Sequence, residues 1–194
     1  TLPLGEGVKW LQVVTTPPTI RIENVSEKAL NIAVEEWQTV HYIGIPLSAR
    51  FSEFGAHGGP NEAIPRIYQW LGEHQVAPLG GPLYVYRHIG NSDDTVDLTV
   101  AVPISGPVKP TDGLVLGALP AGTYVVGRHV GAPDAISAAH TEVKKWAEVN
   151  GHRLDVLEDD NGGLWTGHAE HFLTDPEEEP DPSKWVTDLL FKTV

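Results

Sequence analysis

The chain has 194 residues, and its 26 Asp and Glu against 13 Lys and Arg give a formal net charge of −13. Cysteine is absent, which excludes disulfides, a cysteine nucleophile and thiolate metal sites. The excess of acid disfavours a nucleic-acid partner, because phosphate binding needs a cationic face. No apolar run approaches the ~18 residues of a membrane span, so we expect a soluble, cytoplasmic protein that does not bind membranes.

Strand and helix patterns alternate along the chain and predict a mixed α+β fold. Apolar runs typical of strands cover Thr19–Ile22, Thr39–Ile45, Pro82–Tyr86, Asp97–Ile104, Leu114–Leu119, Thr123–His129, His168–Leu173 and Trp185–Val194. Apolar residues at helical spacing predict two helices, Asn61–His74 and Pro133–Asn150. Ser26–Glu36 is a weaker helical candidate, with Ser26 as its N-cap.

A tandem repeat organises these elements. Four pairs align in order: 55–64 with 127–136 at an offset of 72, Trp70 with Trp146 at an offset of 76, 84–86 with 170–172 at an offset of 86, and 97–104 with 187–194 at an offset of 90. The offset only grows along the chain, so each half reads as strand, helix, strand, strand. The alternative is a chance alignment of two amphipathic helices.

Two βαββ halves have a physical reason to combine. A three-stranded sheet with one helix buries one face and leaves a pairing edge exposed. Joined about a pseudo-two-fold axis, the halves make one curved antiparallel sheet, with two helices on one side and a ligand cleft on the other, concave side. We expect halves at 38–106 and 113–194. Residues 1–37 form an N-terminal extension that is too short for a helix-turn-helix pair.

Three segments of the second half carry a family resemblance: Leu119–Gly131, Glu170–Pro176 and Asp181–Leu189. They resemble the GyrI-like small-molecule-binding domain, the effector-binding domain of AraC- and MerR-type regulators, over about residues 38–194. The resemblance implies a SOUL-like duplicated βαββ fold and a cleft for bulky aromatic, often cationic, molecules. Relatives are drug-sensing halves of regulators, stand-alone binders or gyrase inhibitors. Some resemble hydrolases that open the cyclopropane ring of DNA-alkylating natural products.

The resemblance places the pocket carboxylate of the family at Glu170 and a second acidic position at Asp188. From the residues alone, strand alternation puts Phe172 on the same face as Glu170, and the repeat places Tyr84 and Tyr86 opposite them. A carboxylate among aromatic rings suits a flat cation. The same arrangement could make Glu170 a general base that Tyr84 assists. The alternative is that Glu170 faces solvent on an acidic edge.

Further aromatic residues fall at strand ends or in loops, where binding residues gather. They belong either to the core or to the pocket wall, and the candidates for the wall are Trp37, Phe51, Phe54, Trp165 and Trp185. His168 and His171 lie three apart on a predicted strand and so point to opposite faces, which argues against a metal site. We expect no cofactor.

The sequence therefore predicts a binder of bulky aromatic, hydrophobic small molecules that acts in sequestration or drug resistance. A hydrolase with Glu170 and Tyr84 as catalytic residues is the first alternative. The second is an effector module, or an interaction protein of the gyrase-inhibitor type.

Overall fold

The computed structural model describes residues 30–91 and 95–194. Within these residues, nine strands form one antiparallel sheet in the order β1-β6-β9-β8-β3-β4-β2-β5, and β7 pairs with β8 beside this path. The strands are β1 Asn31–Trp37, β2 Val40–Ala49, β3 Leu83–Gly90, β4 Val96–Ile104, β5 Val115–Leu119, β6 Gly122–Val130, β7 Val156–Asp159, β8 Gly162–Phe172 and β9 Val186–Lys192. The helices are α1 Ala63–Glu73 and α2 Ile136–Val149. Neither of these two helices is long and apolar enough to cross a membrane.

The strand order is symmetric about a pseudo-two-fold axis between β3 and β8. The path β8-β9-β6-β1 on one side of the axis corresponds to β3-β4-β2-β5 on the other. Tyr84 and Glu170, which align in the sequence repeat, are also direct Cα partners in the β3–β8 pair. The axis therefore passes between these two residues, and the predicted α+β tandem repeat is confirmed.

Each half contributes an edge strand to the other half. β1 precedes β2 in the chain but pairs with β6, and β5 precedes β6 but pairs with β2. The two halves therefore exchange their first strands across the sheet.

Both predicted helices are confirmed, with slightly shorter bounds. Pro60 and Pro133 each begin a single 3-10 turn that leads directly into α1 or α2. The fixed φ of proline suits the first turn of a helix, where its missing N–H costs no hydrogen bond.

The weak helix predicted over Ser26–Glu36 is wrong for residues 31–36, which form β1. Ile32 and Val34 are two residues apart, which is the spacing of one face of a strand, and the whole length of this strand pairs with β6. Tertiary pairing here overrides a weak local helical pattern. Residues 31–37, assigned from the sequence to an N-terminal extension, are thus an edge strand of the same sheet. The predicted strand Thr19–Ile22 lies outside the described residues.

The alignment of residues 55–64 with residues 127–136 is also wrong. Residues 55–58 lie in the connection after β2, whereas the aligned residues 127–130 lie in β6. The pairing of β2 with β4 and of β6 with β9 shows that β2 itself is the equivalent of β6. The connection before the 3-10 turn is therefore much longer in the first half, residues 50–59, than in the second, residues 131–132.

The two faces of the sheet hold different cores. α1 packs over a cluster that includes Ile67 and Trp70, and α2 packs over one that includes Val143. A third cluster on the opposite face joins Trp37 of β1 to Leu119 of β5, which are terminal strands of the sheet. The sheet must curl over this face to bring its ends together. The predicted cleft on the concave side is therefore wrong, because side chains fill that side.

Candidate functional site

An open cleft of about 1530 Å³ lies on the helix face, between α1 and α2 and over β3 and β8. Strand alternation aims the cleft-facing residues of β3 and β8 at the same space. Seven of the residues predicted from the sequence line it: Phe51, Phe54, Tyr84, Tyr86, Glu170, Phe172 and Trp185. The cleft crosses the pseudo-two-fold axis, so both halves build it.

Glu170 lies on the cleft floor and is only 6% exposed. Its Oε1 accepts a hydrogen bond from the Tyr86 hydroxyl at 3.0 Å and lies 2.7 Å from Nε2 of His140. Burial first, and the charge of Glu170 second, raise the pKa of Tyr86 well above its usual value. Tyr86 therefore stays protonated and donates to the carboxylate. The alternative in which Glu170 faces solvent on an acidic edge does not match this geometry.

Tyr84 lies across the axis from Glu170, but its hydroxyl is turned to another partner. It donates to Oδ1 of Asn61, at the start of the α1 segment. Burial, and then the charge of Glu170, raise the pKa of Tyr84, so its proton is held. Its ring meets Phe54 and Phe172 edge to face, with centroids 5.6 Å and 5.0 Å away. Tyr84 thus forms part of an aromatic wall, and its hydroxyl donates to Asn61 rather than to Glu170.

The long connection of the first half, residues 50–59, extends this wall. Phe51 and Phe54 place their ring centroids 6.3 Å from that of Tyr86 and 5.6 Å from that of Tyr84. The second half has only residues 131–132 at the equivalent place, and neither is aromatic. The cleft is therefore asymmetric, with aromatic rings over β3 and a polar end at β8 and α2.

His168 is a cleft residue that the sequence reasoning did not assign. It is 1% exposed and stacks between Tyr86 and Phe191, with centroids 5.0 Å and 4.1 Å away. Its Nδ1 lies 2.8 Å from the carbonyl oxygen of Leu190, so Nδ1 carries the proton and donates. Burial lowers the pKa of His168 well below its usual value. The ring is therefore neutral and supports Tyr86 from behind.

His140 was also missed, although the sequence holds a signal for it. It lies four residues after Ile136 and three before Val143 in α2, on the stripe that faces the sheet. A histidine on the helix stripe that faces the sheet can reach a carboxylate on a strand beneath it, so the sequence could have suggested a contact between His140 and Glu170. In the structure, 16% of the His140 side chain is exposed and its Nε2 contacts Glu170.

Charge around the cleft is predominantly acidic. Among the residues that the structure describes, five carboxylate residues line it against one lysine: Asp134, Glu170, Asp175, Glu177 and Glu178 against Lys144. The lysine ammonium lies 5.9 Å from the ring centroid of Trp165. The acidic rim and the buried carboxylate give the cleft a field that attracts cations.

Trp37 and Asp188 were predicted to bind ligand but lie on the opposite face of the sheet. The Trp37 ring packs on Tyr124, with centroids 5.7 Å apart, in the cluster of the concave side. Asp188 accepts two hydrogen bonds from Arg128, at 2.8 Å and 2.7 Å. Both predictions are therefore wrong in placement, since neither residue lines the cleft.

Trp165 lies in the core under α2, with its centroid 4.8 Å from His168, and does not line the cleft either. A register shift between β3 and β8, at Tyr86 and His88, breaks strict alternation and places Trp165 on the helix face. His171, by contrast, pairs with Asp188 on the other face. Within residues 30–91 and 95–194, no group of three potential metal ligands occurs.

The comparisons with known proteins agree with this architecture. The family described as "GyrI-like small molecule binding domain" matches residues 30–193. None of the curated proteins compared with the chain matches it.

Three solved structures share the fold. EcmrR in a complex with DNA is 16% identical with a TM-score of 0.65; the match covers 84% of this chain and 57% of EcmrR, so this chain spans little more than half of that protein. SAV2435 bound to tetraphenylphosphonium is 15% identical with a TM-score of 0.52, covering 84% of this chain and 93% of SAV2435. A hydrolase from Listeria innocua is 15% identical with a TM-score of 0.57, covering 84% and 91%. Because the family match spans nearly all of the described residues, the chain belongs to the GyrI-like small-molecule-binding domains.

Proposed function

We propose that the cleft binds bulky aromatic cations and that Glu170 provides their counter-charge, in the service of sequestration or resistance. The observation that carries the proposal is a carboxylate only 6% exposed, on the floor of a large cleft with aromatic walls. The similar protein SAV2435 has been solved with tetraphenylphosphonium, an aromatic cation, which supports this choice of ligand class.

Burial of Glu170 favours the binding of a cation beside it. A buried carboxylate has lost much of its hydration, and a cation that enters the cleft restores favourable electrostatics. The rings of Tyr84, Tyr86 and Phe172 offer faces and edges to a flat or propeller-shaped ligand. Cation–π contacts contribute about 0.5–2 kcal/mol each, most where water is excluded.

The first experiment is a titration with tetraphenylphosphonium, followed by tryptophan fluorescence. Trp185 lines the cleft, so we expect saturable quenching that Trp185→Phe largely removes. Trp37→Phe is the matched control, because Trp37 lies on the opposite face of the sheet and its removal should leave the quenching intact. Absence of saturable binding to a panel of aromatic cations would remove the proposal.

The second experiment isolates the charge of Glu170. Glu170→Gln keeps the side-chain shape, and we expect affinity for tetraphenylphosphonium to fall by about 10- to 100-fold in calorimetric titration, the range of a well-shielded charge contact. Triphenylphosphine oxide is a neutral probe of similar shape, and its affinity should change little. Equal losses for the two probes would show that the substitution damages the cleft rather than the charge contact.

A second candidate function is hydrolysis of a strained ring in an aromatic DNA-alkylating natural product. The contact between Glu170 and His140 favours it, because the pair could take the proton of a water that attacks the ring carbon. The ring C–C bond then breaks, its electron pair passes into the conjugated system of the substrate, and the proton is returned there. A similar protein bears the description of a hydrolase from Listeria innocua. Tyr84, whose hydroxyl is directed to Asn61, would orient the substrate in this reaction.

Turnover distinguishes the two functions. As an enzyme, the protein should form more than one equivalent of ring-opened product, and Glu170→Gln should stop turnover while the substrate still binds. Product that never exceeds one equivalent contradicts the hydrolase.

A further inference from the structure

Glu170 offers the cleft one free carboxylate oxygen. Its Oε1 already has two contacts, with the Tyr86 hydroxyl and with Nε2 of His140. Its Oε2 has no hydrogen-bond partner in the described part of the chain and is not sealed from solvent. Since Glu170 sits on a central strand and lines the cleft, the opening in front of Oε2 is the cleft itself.

We propose that Oε2 accepts a hydrogen bond from the ligand, and that the ligands of this cleft are aromatic cations with an N–H donor, such as protonated amines or amidines. This inference rests on the proposed function and makes its ligand class narrower. It separates N–H cations from quaternary ammonium and phosphonium ions, which carry charge but no donor.

Tyr86 and His140 fix the direction in which the Glu170 carboxylate can accept a hydrogen bond from a ligand. Tyr86 stays protonated and stacks on the buried His168, so its hydroxyl is a fixed donor to Oε1. His140 approaches the same oxygen from α2. With Oε1 held by two groups on two elements, the carboxylate cannot rotate freely, and the lone pairs of Oε2 keep one direction in the cleft.

A fixed acceptor of this kind discriminates by geometry as well as by charge. An N–H donor to a carboxylate forms a short, charge-assisted hydrogen bond. A quaternary cation of the same size meets the oxygen through methyl groups, at a longer distance, and leaves the acceptor unpaired. A site built to pair a polar group loses affinity when the partner is absent.

The test compares three pyrene probes that differ only at the head group. The pyrenylmethyl-dimethylammonium ion carries one N–H, the pyrenylmethyl-trimethylammonium ion carries none, and methoxymethylpyrene is neutral and has no donor. Pyrene fluorescence gives the dissociation constant of each with the full chain. We expect the N–H cation to bind at least roughly tenfold more tightly than the quaternary cation, from the strength of one hydrogen bond to a charged group.

Two variants assign the preference to its cause. Glu170→Gln should reduce the ratio between the two cations towards one, because the amide carries no charge and its single acceptor oxygen is taken by the Tyr86 hydroxyl. Tyr86→Phe should narrow the ratio as well, since it releases Oε1 and lets the carboxylate turn. Thermal melts of each variant confirm that the chain stays folded.

The outcomes separate this inference from the proposed function. Equal binding of the two cations, both tighter than methoxymethylpyrene, overturns the N–H preference and keeps the aromatic-cation proposal. Equal and weak binding of all three probes overturns both. A preference that persists unchanged in Glu170→Gln assigns the donor contact to another group and overturns the role of Oε2.

Discussion

The free energy of unfolding should fall steeply in mild acid because His168 is buried without charge. Burial places the folded-state pKa of His168 well below the usual 6.5. In the unfolded chain the same histidine binds a proton near pH 6.5. Below that pH the unfolded state therefore binds more protons than the folded state, and protonation favours unfolding.

The size of the effect follows from linkage. One proton bound only by the unfolded state lowers the free energy of unfolding by about 1.4 kcal/mol for each pH unit. The loss begins near pH 6.5 and continues down to the folded-state pKa of His168. Burial also lowers the pKa of His171, so two histidines contribute and the slope can approach about 2.7 kcal/mol per pH unit.

The assay is urea denaturation at a series of pH values from about 7.5 to 5, with extrapolation to water. His168→Phe keeps a ring between Tyr86 and Phe191 but removes the proton donor to the Leu190 carbonyl. We expect it to cost about 1–3 kcal/mol at neutral pH, yet to flatten the pH slope by about 1.4 kcal/mol per unit. His57→Gln, at a side chain 99% exposed, controls for loss of a histidine.

If the free energy of unfolding of His168→Phe depends on pH as steeply as that of the unmodified chain, burial of a neutral His168 is not the cause of the acid sensitivity. It would mean that His168 takes up its proton alike in both states. A flattened slope in His57→Gln of the same size would instead show that the effect is not specific to burial.

Two further substitutions test the packing on the two faces of the sheet. Arg128→Ala leaves the Asp188 carboxylate, whose side chain is 10% exposed, without its two hydrogen bonds; urea denaturation should show a loss of about 1–3 kcal/mol, and the double variant Arg128→Met with Asp188→Leu should recover most of it. Gly127→Ala puts a methyl group where Val143 already packs, so α2 must shift at a cost of about 1–3 kcal/mol. Because α2 carries His140, affinity for aromatic cations should fall with it, and Val143→Ala should restore both quantities in part. No loss in Gly127→Ala would contradict the close packing of β6 against α2.

The sequence carries most of the information for the fold because its signals are local or repeated. Helical spacing and prolines at the first turn locate α1 and α2, and the repeat puts Tyr84 at the position equivalent to Glu170. The structure then pairs these two residues directly across the axis. A repeat whose halves meet about a two-fold axis requires one such self-equivalent pair, so register and symmetry support each other.

Local sequence patterns do not indicate which side of the sheet bears the cleft. Leu83 and Tyr84 are both buried although they point to opposite faces, so alternation shows two faces without telling which is open. The exchange of β1 and β5 between halves depends on long-range pairing, which local patterns do not reveal. Trp165 shows a third cause, since a register shift between β3 and β8 breaks the alternation from which its face would be predicted.

The exchanged edge strands also decide how the chain can come apart. β1 completes the edge of the second half and β5 completes that of the first, so neither half can leave without stripping a strand from the other. Partial unfolding of one half exposes unpaired edges in both, which favours a single cooperative transition. We therefore expect a molecule bound at the axis to raise the melting temperature of the entire sheet, and an isolated half to lack a stable structure to which the molecule could bind.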